Sequence, residues 1–153
     1  MPQAYLQILM GILGSFGFSI LYNVRGGKLF LTALGGGLGW TLFLLLGSRF
    51  PGEPLRYFIC AAVVTFYAEI LARLMKTPAT TFLIPSLIPM IPGGALYRTM
   101  RFAVEKNWSD CLTQAFYTFR LALALAMGVA AVLTVYNVYG ILRTHFQKEV
   151  TPL

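Results

Sequence analysis

Four long apolar runs divide the chain. Residues 5–24 and 29–48 carry no charged side chain, residues 55–75 carry charge only near their two ends, and residues 111–142 carry a single Arg120. About 20 apolar residues in a helix cross a bilayer core of about 30 Å, so each run predicts a transmembrane helix. Short polar stretches separate them: Arg25-Gly26-Gly27-Lys28 is a tight turn, and residues 49–56, with Pro51, Gly52 and Pro54, form the next loop. The last run would measure about 48 Å as a helix, and Arg120 is expected to divide it into an amphipathic entry and an uncharged span over 121–142. The first run lacks the basic start and small-residue cleavage site of a signal peptide, which predicts a retained helix.

Residues 77–97, TPATTFLIPSLIPMIPGGALY, follow a different pattern. They are apolar yet hold Pro78, Pro85, Pro89, Pro92, Gly93 and Gly94. An interior proline removes a helical hydrogen bond and costs about 3 kcal/mol, and in lipid the freed carbonyl has no water to turn to. The segment is therefore expected to break between Pro85 and Gly94, inside protein or beside a wet cavity, with a polar helix starting at the two glycines and covering 95–106. It either crosses the membrane or re-enters on one side. The expected architecture is a single all-α membrane domain over residues 1–153, with four to five transmembrane helices, one of them broken by prolines within 78–94.

Small residues mark the expected packing faces, because lipid-embedded helices associate by close approach. Gly11, Gly14, Ser15 and Ser19 make one side of the first helix small; Gly35 and Gly39 form a GxxxG step; Ala122, Ala126 and Ala130 form a stripe on the last helix. No long-period repeat is present.

Composition sharpens this picture. The 153 residues are 58% hydrophobic and 11% charged, whereas a soluble domain carries about 25% charge, so a water-soluble fold and a disordered chain are both excluded. Twelve Lys+Arg against five Asp+Glu give a net charge of +7. The cations sit singly or in pairs between apolar runs, as anchors to lipid phosphates rather than as a nucleic-acid surface. Cys60 and Cys111 are far apart and read as small hydrophobes, with no disulfide, metal site or cofactor implied. His145, the one histidine, lies in the polar C-terminal tail, and no nucleophile, P-loop or paired-carboxylate motif appears, so the chain does not read as an enzyme.

Two groups are candidates for chemistry. Glu69 is the acidic residue within an apolar run, with Arg73 one helical turn on. An intramembrane carboxylate by default signals an ion or proton path, and an interfacial ion pair is the competing structural reading. The proline segment is the stronger candidate. Transporters place substrate where a membrane helix is broken, with carbonyls free on one side and a positive half-helix end on the other. The expected substrate contacts are Pro85, Ser86, Pro89, Pro92, Gly93, Gly94, Arg98 and Arg101, with Thr80 and Thr81 adding hydroxyls; the expected ion or proton coupling residues are Glu69 and Arg73.

The run Ile88-Pro89-Met90-Ile91-Pro92-Gly93, preceded by Thr77-Pro78 and followed by Ala95-Leu96-Tyr97, resembles the threonine/serine exporter family. It is most similar to the small subunit of the split, two-component form, which corresponds to the C-terminal half of the fused exporters. The resemblance implies export of small amino acids or of dicarboxylates such as succinate across a bacterial inner membrane. It also implies a larger membrane subunit carrying the other half, or self-association. Pro89, Pro92 and Gly93 map onto the family's Pro-Pro-Gly signature, and Pro78 onto the proline before it. A non-transporting scaffold and a small channel are the alternatives that the residues themselves leave open.

Overall fold

The computed structural model describes the backbone of residues 2–150 and the side chains of residues 3–138. Six α-helices follow in order: α1 (Pro2–Leu21), α2 (Gly27–Gly47), α3 (Glu53–Met75), α4 (Thr80–Leu87), α5 (Gly93–Val104) and α6 (Trp108–Val150), with a 3₁₀ turn, Ile88–Met90, after α4. No strand occurs among the described residues. α1, α2, α3 and α6 are each long and apolar enough to cross a membrane, and α4 with α5 passes the same test as one bent pair.

Side-chain pairs fix the direction of each crossing. Gly11 meets Trp40, and Phe16 stacks against Phe30 at 6.1 Å, so α1 and α2 are antiparallel. Phe43 packs edge-on to Tyr57 at 5.0 Å, while the Tyr67 hydroxyl donates to the Leu31 carbonyl at 2.8 Å, which turns α3 against α2. Leu121 and Ala124 sit with Tyr57, and Tyr136 lies 5.9 Å from Phe66, so α6 runs parallel to α3. α4 starts beside Ala72 near the Met75 end of α3; Met90 then packs on Val64 and Cys60, and Ala95 reaches Tyr57. Thr99 finally meets Thr118 at 3.2 Å. The broken segment thus travels from the Met75 end to the Glu53 end and crosses rather than re-enters.

Ten of the twelve cations have described side chains. Arg49, Arg56, Arg98, Arg101, Lys106 and Arg120 lie toward the Glu53 end, and Arg25, Lys28, Arg73 and Lys76 toward the Met75 end. The positive-inside rule assigns neither end to the cytoplasm.

α2 is the hub. Successive helical residues point about 100° apart, so the run Gly35-Gly36-Gly37 offers a flat surface to three neighbours. A Cβ on Gly35 would overlap Ser86 of α4, one on Gly36 would overlap Ser15 of α1, and one on Gly37 would crowd Ile12. At Gly39 a Cβ would stand 2.9 Å from the Met90 sulfur and 3.0 Å from Val64. Each glycine gives up about 1 kcal/mol of helix propensity, which the close approach offsets through dispersion contacts. Gly128, which the sequence pattern did not single out, plays the same part between α6 and α3, where a Cβ would strike the Phe58 carbonyl oxygen. The stripe of Ala122, Ala126 and Ala130 instead faces outward; Leu121, Ala124 and Gly128 form the buried face of α6. Arg120 interrupts nothing, because α6 is one continuous helix and its guanidinium is exposed.

In lipid, hydroxyls turn to the backbone of their own helix. The hydroxyls of Ser19, Thr32, Thr41, Thr65, Thr99 and Thr118 each donate to the carbonyl four residues earlier. Three helices end alike. Asn23, Lys76 and Lys106 take left-handed φ values of 55°, 49° and 57°. The next N–H bonds back five residues, Val24 to Ser19, Thr77 to Ala72 and Asn107 to Phe102, the Schellman closure. Cys60 is buried as expected, whereas Cys111 is half-buried with its Sγ 3.6 Å from the Thr99 carbonyl.

Candidate functional site

The three prolines of the broken segment do different things. Pro85 is accommodated inside α4 and buried, since its fixed φ suits a helix and a lone missing N–H strands only the Thr81 carbonyl. Pro89 opens the 3₁₀ turn. Pro92 makes the break. A residue before proline is pushed out of the α region, and Ile91 sits at φ −61°, ψ 129°. Pro92 follows at φ −73°, ψ 57°, and the Gly93 N–H donates to the Ile91 carbonyl at 2.6 Å, an inverse γ-turn. The axis bends by 53°. The expected break between Pro85 and Gly94 therefore narrows to Ile91–Pro92.

Beyond the turn, α5 begins with no side-chain cap. The Leu96 N–H returns to Pro92, while the Gly94 and Ala95 amides have no partner among the described residues. Both residues belong to the lining of a cavity of about 230 Å³, with Pro92, Gly93 and Arg98 from the broken segment, Glu53 and Tyr57 from α3, Trp40 from α2, and Tyr117 from α6. That volume lies below the range of about 300–1,000 Å³ that holds drug-sized ligands and suits a small solute.

Charge in this cavity is of both signs. The Tyr117 hydroxyl donates to Oε2 of Glu53. Oε1 of Glu53 is 3.8 Å from the Arg56 guanidinium, an ion pair without a hydrogen bond. Arg56 itself lies over the Phe43 ring at 4.9 Å, and Phe43 stacks on Trp40 at 5.6 Å. Arg98 has no ion pair among the described residues. Trp40 also borders an apolar groove of about 430 Å³ formed with Met10, Gly14, Ile88 and Pro89, and its indole N–H is buried without an acceptor among the described residues.

The expected substrate contacts separate accordingly. Pro92, Gly93, Gly94 and Arg98 converge on the cavity, and Pro89 borders the neighbouring groove. Pro85 and Ser86 do not reach it: both are fully buried, and the Ser86 hydroxyl donates to the Thr32 carbonyl at 2.9 Å, tying α4 to α2. Thr80 and Thr81 lie on the first turn of α4, toward the Met75 end. Arg101 does not share the site with Arg98; it pairs with Glu105 at 3.4 Å on the exposed side of α5. Glu69 and Arg73 form the expected ion pair, at 4.0 Å, beside an open pocket of about 440 Å³ that also meets Lys76, Thr77 and Pro78. This pair lies sixteen residues along α3 from Glu53, about 24 Å of helical rise. Among the described residues no cluster of metal-ligating side chains occurs; the side chain of His145 lies outside them.

Glu53, Tyr57, Trp40 and Tyr117 are the residues that the sequence pattern missed. Glu53 stands in a loop-like Pro-Gly-Glu-Pro setting, and the others are aromatics within apolar runs. Their convergence is a product of three helices meeting. The one local sign is Glu53 in the first turn of a proline-started helix, where an acidic side chain complements the helix dipole.

Apolar crossings arranged around a helix that breaks at a polar, two-signed cavity define an integral membrane protein built as a transporter is. The chain belongs to the threonine/serine exporter family, whose ThrE description it matches over residues 7–135. Members of that family are transporters. No curated protein and no solved structure matches the chain.

Proposed function

We propose that this chain is one subunit of a secondary exporter that moves small amino acids of the threonine/serine kind out of the cell across the bacterial inner membrane, with the break at Pro92 beside the substrate path. The observation that carries this reading is the convergence of an uncapped half-helix, Arg98 and Glu53 on one small cavity. A solute there would meet charged side chains and the N-terminal end of a half-helix at one place. Pro92, Gly93, Gly94 and Arg98 line the path, Pro89 shapes its apolar neighbour, and Pro85 and Ser86 anchor the broken segment to α2.

Five crossings enclose this cavity from one side only, which supports pairing with a larger membrane subunit that carries the other half, or with a second copy. Coupling to an ion through Glu69 is part of the same reading. Its side chain is 15% exposed and lies 4.0 Å from a half-exposed Arg73.

Efflux of labelled threonine from loaded membrane vesicles tests the assignment. Replacing Pro89→Ala and Pro92→Ala together should cut export at least about tenfold, roughly 1.4 kcal/mol, in protein that still inserts. Unchanged export would contradict the placement of the substrate path.

A further inference from the structure

We propose that the cavity at the break reads the two charges of an α-amino acid on separate residues: Glu53, held by the Tyr117 hydroxyl, receives the ammonium group, and Arg98 receives the carboxylate. This inference rests on the break being the substrate path, and it names the solute class that the path selects.

The charges facing the cavity leave one anion and one cation available. Tyr117 of α6 occupies one oxygen of Glu53, and Arg56, on the same helix, reaches the other only at 3.8 Å. A carboxylate accepts about four hydrogen bonds, so acceptor sites remain open to a donor on a ligand. Arg56 is committed to the Phe43 face, and Arg101 to Glu105. Arg98 of α5 is left without an ion pair among the described residues, one turn from the unpartnered Gly94 and Ala95 amides, whose positive helix end adds to its pull on a carboxylate. The Trp40 and Tyr57 rings line the cavity from α2 and α3, and Phe43 packs against both. A dicarboxylate fits this distribution poorly, because its second negative charge would lie against Glu53.

The test measures threonine and succinate efflux from loaded vesicles for the unmodified chain, Glu53→Gln and Glu53→Asp. Glu53→Gln should lower threonine export at least about tenfold, leave succinate export undiminished, and keep the unmodified chain's melting temperature; Glu53→Asp should recover part of the threonine rate. Threonine export by Glu53→Gln within twofold of the unmodified chain, or an equal fall for both solutes, would overturn the pole assignment while leaving the exporter reading intact. If Glu53→Gln fails to insert, Arg98→Gln takes its place, with the same tenfold fall expected and a change within twofold overturning the proposal. An unmodified chain that exports neither solute would overturn the exporter reading and this inference with it.

Discussion

The two ends of α3 carry the same pair of residue types in nearly the same spacing. Glu53 and Arg56 stand three apart at one end, Glu69 and Arg73 four apart at the other. What surrounds them differs. At the Glu53 end three further helices converge: α2 brings Trp40, α5 brings Arg98 and its open amides, and α6 brings Tyr117, enclosing a small cavity. At the Glu69 end the neighbours are the turn Lys76-Thr77-Pro78 and the Tyr136 ring, over which Arg73 lies at 4.5 Å, and the pocket is wide open. An acid–base pair becomes a binding site through what other elements aim at it. On the proposed reading, the first end holds the solute and the second exchanges an ion with the interface.

Removing one cation from each end breaks the comparison most sharply. Arg98→Ala should raise the KM for threonine export at least about tenfold, while Arg73→Ala should leave it within twofold; equal effects would erase the distinction. Next in size is a pair of tyrosines. Tyr117→Phe frees Glu53 and should raise the KM about threefold to fivefold, in line with the roughly 1 kcal/mol of a single hydrogen bond. Tyr67→Phe removes the bond to the Leu31 carbonyl and should lower thermal stability by about the same energy without touching the KM. Glu69→Gln comes third: the KM should stay within twofold while stimulation of export by a pH gradient disappears. The smallest effect belongs to the stability of Arg73→Ala, where a half-exposed ion pair and one ring contact predict a loss under about 1 kcal/mol in a melting experiment.

The sequence was informative wherever one residue type forces a local outcome. Apolar length predicted the crossings, and proline before Gly-Gly predicted a break and the helix after it. Gly11, Gly14, Ser15 and Ser19 predicted a packing face on the first helix, which Gly11 and Ser15 turn to α2, and Glu69 with Arg73 predicted an ion pair. It was uninformative where the outcome depends on distant partners. Whether Pro85 or Pro92 breaks the helix turns on packing against α2 and on Ile91 leaving the α region, and no local count of prolines separates them. Ala122, Ala126 and Ala130 are as small as Gly35 and Gly39 yet face outward, because Gly128 and Leu121 fix the rotation of α6. Glu53 looked like a loop residue because its partner Tyr117 lies 64 positions further along the chain, and Arg98, which lines the same cavity, 45 positions further. Arg98 and Arg101, three residues apart, looked equivalent until Glu105 claimed the second.

The central claim is that solute binds at the break near Pro92. Cysteine labelling tests it most directly, in a Cys111→Ala background where Cys60 stays buried. Gly94→Cys suits the purpose because a Cβ there meets nothing within 4 Å, and Arg73→Cys reports the opposite end. Saturating threonine should slow labelling at Gly94→Cys several-fold and leave Arg73→Cys unchanged. Protection at Arg73→Cys alone, or equal protection at both, would contradict the account.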